Sequence, residues 1–442
     1  MKAIGAALLI AGLLLFASPI SASPHEGSST PSGRLDARAL EPHPPIVVVG
    51  DTGPTGLVLA THPLTGEPIY RPGSGGVGGR GTAEDPYLIE GWEVPAIRIQ
   101  GTTAHVEIRG NSIGVAAAPG GVASLHVEDA GDVRVADNEV LSTTSGILVT
   151  GSDDITVEDN VVQGGQAGID GDATEGLLVR GNTVTDANYA VRMNNVGDLL
   201  VEGNELIDTA ATMGTGVLLQ ACREVVVEAN RIVRHHTGVY AVDTDGARVR
   251  DNDISSFSRG INFWFSDDEV IERNTIAGHA TGAIILIESN DGVVRDNDLT
   301  GGLTGVDLRG PGSGILVEAN EARGVGIGIL LAQLTGPHEI RGNLLIGNET
   351  AITLSQTSGS TFLGNLILEN ETGVSAISGV DAITLGGNQI VGNDEGVAND
   401  TEASIDAREN WWGCAEGPGA AGCDTTRGSV QWDPWLIEEP EA

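Results

Sequence analysis

Hydrophobic side chains along this chain keep a register set by a recurring polar one. Asparagine stands at positions 138, 160, 182, 204, 230, 252, 274, 297, 320, 343, 365, 388 and 410, at spacings of 22 or 23 with a single 26. Three residues before it runs an aliphatic column: Val135, Val157, Val179, Val201, Val227, Val249, Ile271, Val294, Val317 and Ile340. Two residues after it runs another, with Val140, Val162, Val184, Leu206, Ile232, Ile254, Ile276 and Leu299. A small residue followed by an aliphatic one comes eight positions on, as in Gly146-Ile147, Gly168-Ile169, Gly238-Val239 and Gly260-Ile261. In the 26-residue repeat that pair is Gly216-Val217, so the extra residues fall between Leu206 and Gly214, where a bulging loop is expected.

Alternating β-branched positions bounded by Gly, Asn and Asp predict short strands with one buried face. No stretch holds the period of a helix. Strands this short, with no helix to carry a βαβ crossover, make a parallel sheet by coiling, each turn pairing with the next roughly 4.8 Å away. The predicted fold is all-β, a single right-handed parallel β-helix (a solenoid) of about 13 coils over residues 81–410. Stacking places like residues above one another, so the asparagines are read as structural. Asn tolerates the left-handed conformation of a sharp corner, and its amide can bond the amides above and below. Both ends need covering. Tyr87, Leu88, Ile89 and Trp92 are the expected N-terminal cover, and Trp411, Trp412, Trp432 and Trp435, within a cap at 411–442, the C-terminal one.

Composition and charge narrow the partners. Acidic residues number 61 against 23 basic ones, for a net charge of −38, and the only lysine is Lys2. Nucleic acid and anionic membranes are poor partners for such a chain. Residues 1–22 read as a secretory signal, with a basic start, an apolar run from Ile4 to Ala17 and small residues at Ser21 to Ser23. Residues 23–45, rich in Pro, read as a flexible linker, and 46–80 as an irregular N-terminal segment. No transmembrane segment is expected after signal cleavage, and the chain is placed outside the cytoplasm as a monomer: secreted, periplasmic or at the cell surface. Cys414 and Cys423 bracket a Gly/Pro/Ala-rich loop that a disulfide could close in an oxidising compartment. Cys222, among Ala221, Val225 and Val227, reads as a buried apolar residue.

The segment GTAEDPYLIEGW (Gly81 to Trp92), the repeats ending in I/V-x-V-x-x-N, NWWGCAEGPGAAGC and WDPWL (Trp432 to Leu436) together resemble the NosD-like group of secreted proteins. The resemblance implies a right-handed β-helix of the pectin-lyase-like superfamily. It does not choose among that superfamily's polysaccharide lyases, hydrolases, epimerases, adhesins and copper-associated accessory proteins.

Candidate chemistry lies on the strand that begins with the Gly-Ile/Val pair. Its outward positions, two and four residues after the Gly, carry Asp170, Asp172, Arg192, Asn194, Gln220, Tyr240, Asn262, Trp264, Asp307 and Arg309. Amide, carboxylate, guanidinium and aromatic groups on one face suit sugars, whose hydroxyls take paired polar partners and whose ring faces stack on Trp or Tyr. The favoured reading is a polysaccharide-binding or cell-envelope interaction module, with a cell-envelope glycan as partner. The alternatives are a polysaccharide lyase or hydrolase using Asp170, Asp172, Arg192, Asp307 or Arg309, and a copper-associated accessory protein. No metal site is visible. Copper would need soft or imidazole donors brought together, whereas Met193, Met213 and the histidines are scattered and His235-His236, the adjacent pair, reads as surface. No cofactor is expected, with calcium the one ion kept in view. Asp153-Asp154 and Asp267-Asp268 read as solvated turns. The sequons at Asn348, Asn370 and Asn399 are candidate glycosylation sites.

Overall fold

A computed structural model describes residues 40–43, 45–51, 79–114, 123–209 and 213–440, all within one compact unit, Arg38–Ala442. The secretory signal and most of the linker and irregular segment lie outside the described residues. Every strand is short, and each pairs in parallel with its counterpart one coil earlier and one coil later, giving three sheets of 15, 16 and 16 strands. The described residues contain no helix. This is a right-handed parallel β-solenoid of about 15 turns.

One turn shows how the residues dictate the path. Glu175–Arg180 lies in the first sheet, Thr183–Thr185 in the second and Tyr189–Asn194 in the third. The next turn repeats this with Gly197–Glu202, Glu205–Ile207 and Thr215–Gln220. Val157, Val179 and Val201 stand in direct register and are fully buried. So do Val162, Val184 and Leu206. One continuous apolar core therefore runs the length of the coil, each aliphatic side chain contributing roughly 1.5–3 kcal/mol.

The asparagines form the expected ladder, which also includes Asn111. Asn160 is representative. Its backbone N and its Nδ2 both donate to Asn182 Oδ1 at 3.0 Å, and Nδ2 also donates to the carbonyls of Val135 and Glu158 at 2.9 Å. The left-handed residue, however, is not the asparagine but the one before it: Asp137, Asp159, Ala229, Asp251, Arg273, Asp296 and Ala319, with φ between 52° and 57°. The reason is that the preceding residue makes the corner while the asparagine side chain turns inward to satisfy the backbone groups the corner leaves open.

Three further expectations are corrected. The solenoid starts before residue 81: Glu41–Pro42 pairs with Trp92–Val94, and Ile46–Val49 pairs with Ile97–Gln100. The run IVVV continues the buried alternation, with Ile46 and Val48 inside. Trp92 consequently sits within a turn, paired to Glu41–Pro42, while Tyr87–Glu90, paired to Val106–Arg109, is the first described strand of its sheet. At the other end, Thr426–Arg427 and Val430–Gln431 add one more partial turn beyond residue 410. Trp412 is fully buried beneath it, and Trp432 packs against Trp435 at 5.4 Å. The extra residues of the 26-residue repeat fall in the corner after Ile207. Met213 there is 71% exposed, and 210–212 lie outside the described residues.

The small residue of the Gly-Ile/Val pair is demanded by close approach. A Cβ at Gly238 would stand 2.5 Å from Ile254 Cγ2 and 2.6 Å from the Gly260 carbonyl. Ala190, Ala283 and Ala351 occupy the equivalent position by slight shifts, but a branched side chain has no room. Gly238→Val is expected to lower the unfolding free energy by about 1–3 kcal/mol in a denaturant titration.

Candidate functional site

The third sheet presents the mixed face. Its register sets Leu148, Asp170, Arg192, Leu218, Tyr240, Asn262, Ile285 and Asp307 in one outward column. Thr150, Asp172, Asn194, Gln220, Val242, Trp264, Ile287 and Arg309 form a second. The sheet thus aligns every candidate residue into two adjacent stripes. It does not gather them into one pocket, because Asp170 and Asp307 are six turns apart along the column.

Within the stripes the polar groups hold one another. Arg192 donates to both oxygens of Asp170, Nε to Oδ1 at 2.8 Å and an Nη to Oδ2 at 2.5 Å, while Ser145 Oγ donates to Oδ2 at 2.8 Å. Asn194 Nδ2 donates to Asp172 Oδ1, and Arg309 Nε to Asp307 Oδ1 at 2.6 Å. Burial pushes the Asp307 carboxyl up, against the pull of Arg309. Hydrogen bonding to Asp170 holds Arg192 firmly protonated, and its guanidinium lies over the Tyr189 ring at 5.6 Å. Gln220 stands exposed between the Asp172–Asn194 pair and the aromatic group.

The aromatic group is the distinctive part. Tyr240 meets Trp264 edge-on at 6.2 Å, and Trp264 meets Phe265 likewise at 6.2 Å. Trp264 Nε1 donates to Asn262 Oδ1 at 3.1 Å, which fixes the indole plane. Phe265, which the sequence reading passed over, is 47% exposed and turns outward on a left-handed backbone, φ 52°. Tyr240 and Trp264 are half-buried.

Several other expectations meet the structure here. Cys414 and Cys423 are disulfide-bonded, and Cys222 is a free buried thiol whose pKa is raised by that burial. His235 is not a surface residue. It occupies a corner whose inward side is core, is fully buried with neither ring nitrogen hydrogen-bonded, and is pushed down to about 4 by burial. The three sequon asparagines are internal. Asn348 Nδ2 donates to the Ala322 carbonyl, Asn370 Nδ2 to Asn393 Oδ1, and Asn399 Nδ2 to the carbonyls of Ala403 and Ser429. All three are buried to 3% exposure, so a glycan on these nitrogens is incompatible with the folded chain. Asn348, Asn370 and Asn393 form a second, shorter asparagine ladder that ends on Asp424. Asp267 accepts from both nitrogens of the Asn290 side and main chain, the role of a turn residue.

Glu269 was missed. It lies five positions before Asn274 in a column that holds Ile155, Leu177, Leu199, Val225, Ala247 and Ile315, and later His338 and Ser360. Both carboxyl oxygens are buried without a partner, in the space left by Gly292, where a Cβ would stand 2.5 Å from Oε1. Burial, reinforced by Asp267, Asp268 and Asp245, pushes its pKa up to about 8. The sequence signal was there, a carboxylate in a column whose other members are uncharged or a histidine.

Comparison with known proteins places these features. A family model described as periplasmic copper-binding protein (NosD) matches residues 96–222 and 162–301, and a model for the right-handed β-helix region matches 259–411. No curated protein matches the sequence. Among solved structures, the periplasmic alginate epimerase AlgG is similar over 78% of this chain and 75% of its own, at 14% identity and a TM-score of 0.38. The Dettilon tailspike protein is similar over 66% and 61%, at 14% and 0.43, and an exopolygalacturonase from Thermotoga maritima over 67% and 82%, at 10% and 0.36.

The donors here do not fit copper. Met193 and Cys222 are buried in the core, Met213 is exposed in the corner before Thr215–Gln220, and His235, at the same corner one turn on, faces inward. Among the described residues, the group of metal-capable side chains that converges is Cys414, Glu416 and Cys423, and its sulfurs are bonded to each other.

Proposed function

We propose that this chain, whose segments resemble NosD and the right-handed β-helix region, is a polysaccharide-binding or cell-envelope interaction module, with the outer face of the third sheet around Tyr240, Trp264 and Phe265 as its contact surface. The observation that carries this is the edge-on Tyr240–Trp264–Phe265 group beside an amide already oriented by the indole. Aromatic faces at a sheet surface stack on sugar rings, and neighbouring amides and charge pairs bond the hydroxyls. A parallel sheet repeats its surface every roughly 4.8 Å, which suits an extended polymer lying along or across the coils.

Binding is favoured over cleavage because the carboxylates on this face are engaged. Asp170 is clamped by Arg192 and Ser145, and Asp307 by Arg309, so neither is poised as a free acid or base. A location outside the cytoplasm is supported by the disulfide. No helix among the described residues is long and apolar enough to cross a membrane.

Trp264→Ala combined with Tyr240→Ala is expected to weaken glycan binding by tenfold or more, an aromatic hot spot being worth about 2 kcal/mol. Circular dichroism should keep the β signature of the wild type, since neither ring belongs to the interior core. Unchanged binding on a glycan array, or release of reducing ends from a polysaccharide panel by the wild type, would overturn the proposal.

A further inference from the structure

Arginine in this chain is almost always neutralised. Along the first sheet the position two before the ladder asparagine carries Arg180 on Glu158, Arg250 on Glu228, Arg295 on Glu272 and Arg341 on Glu318, each contact spanning one coil. On the third sheet Arg98 pairs with Glu128, Arg192 with Asp170 and Arg309 with Asp307. Among the described residues the arginines outside any ion pair are Arg234, Arg248 and Arg259. Arg248 belongs to the first sheet. The other two sit at one corner, on consecutive turns, where the chain enters the strands Thr237–Val242 and Arg259–Trp264.

That corner adjoins the aromatic group. Arg259 is in register with Thr237 and Tyr189, in the outward position just before the Gly-Ile/Val pair. Side chains in this position reach the Asp170 column: Ser145 bonds Asp170, and Tyr189 lies under Arg192. By the same register Arg259 flanks Asn262 on its own strand and Tyr240 on the turn before. His236 stands one turn back, beneath Ser258 and Arg259, whose amides donate to its carbonyl. Burial, and then the charge of Arg259, lower its pKa. Beside it the Ser258 and Thr281 hydroxyls, 2.7 Å apart, are bonded to each other, and Thr281 Oγ1 donates to the Ser258 carbonyl.

We propose that this corner binds an anionic substituent, a carboxylate or sulfate ester, on the glycan whose sugar rings contact Tyr240 and Trp264, with Arg259 as the principal contact and Arg234 as a second cation. The inference rests on the glycan-binding reading above and adds the chemical class of the ligand. In a chain of net charge −38, an unpaired cation beside an aromatic surface is where an anion is favoured while the rest of the surface repels it. The charged substituent would therefore set the register of the polymer on the face. Arginine's planar fork suits both oxyanions equally.

The test is binding of the full chain, at low and moderate salt, to matched pairs: a uronate polysaccharide and its carboxyl-reduced form, and a sulfated polysaccharide and its desulfated form. The wild type is expected to prefer the anionic member of at least one pair by tenfold or more, with the preference shrinking as salt rises. The pair that shows it identifies the oxyanion. Arg259→Gln should bring the two members level while leaving affinity for the neutral form unchanged, and Arg234→Gln should reduce the preference part of the way. Equal binding of both members by the wild type, or a preference that survives Arg259→Gln, overturns this inference and leaves the glycan-binding reading standing. Absence of binding to every member overturns both.

Discussion

Replacing Asn252 by Ala should lower the free energy of unfolding by about 3–5 kcal/mol, the largest effect expected from a single side chain that touches no ligand. Asn252 Nδ2 donates to the carbonyls of Val227 and Arg250 and to Asn274 Oδ1. Its own Oδ1 accepts from the backbone N and the Nδ2 of Asn230. Truncation strands several buried polar groups at once, each worth about 1–3 kcal/mol when left unsatisfied. In a solenoid each turn contacts only its neighbours, so the damage should be local. Hydrogen exchange is expected to speed up in the turns from about Asn230 to Asn274 first, and urea unfolding to lose its single step. The exposed neighbour Asp253→Ala should be nearly silent. A loss below about 0.5 kcal/mol for Asn252→Ala, the range of an ordinary surface change, would mean the ladder is ornamental to stability.

The second large effect is a loss of stability on the alkaline side of neutrality, caused by Glu269. In the unfolded chain this carboxyl sheds its proton near its ordinary 4.5, whereas in the folded chain it holds the proton to about 8. Between those values the unfolded state carries fewer protons, so stability falls as pH rises. His235 works in the other direction. Its folded pKa of about 4 lies below the ordinary 6.5, so between them the unfolded chain takes up the proton first and stability falls as pH drops. His279 and His338, lowered by burial, add to that acid-side loss. The two trends oppose each other below about pH 6.5, the ordinary histidine pKa, and from there to about 8 the Glu269 contribution stands alone.

The wild type should therefore lose about 2 kcal/mol between about pH 6.5 and 8, at roughly 1.4 kcal/mol per pH unit. Glu269→Gln should abolish that slope. Glu269→Leu, which restores the aliphatic type of Leu177, Leu199 and Ile315, should abolish it and raise stability across the range. Chemical denaturation at several pH values reads both. A Gln variant that kept the wild-type slope would place the titrating group elsewhere.

Legibility differed between the interior and the surface. The valine columns, the asparagine ladder and the Gly-Ile/Val pair were readable because coiling converts a fixed sequence interval into direct contact, so each interior environment selects one residue type again and again. The same logic covers Glu269 and Asn111, which lie in a third inward column and one turn before the ladder position 138. The candidate residues of the third sheet were placed in the right two columns, yet their pairing was not foreseen. Asp170 faces Arg192 across one coil, while Asp307 finds Arg309 two residues along its own strand.

Corners defeated the sequence most often. The left-handed residue is the one preceding each asparagine, His235 turns inward, and the sequons at Asn348 and Asn370 form an internal ladder. At a bend the alternation of a strand no longer says which way a side chain points. Thus the sequence alone determined that the chain winds into a parallel β-solenoid, since the repeat length and the columns are properties of a one-dimensional pattern. Only the tertiary structure decided which surface charges cancel, which arginines are left over, and which polar groups lie inside, because these depend on distances between side chains some 22 residues apart and on the geometry of turns.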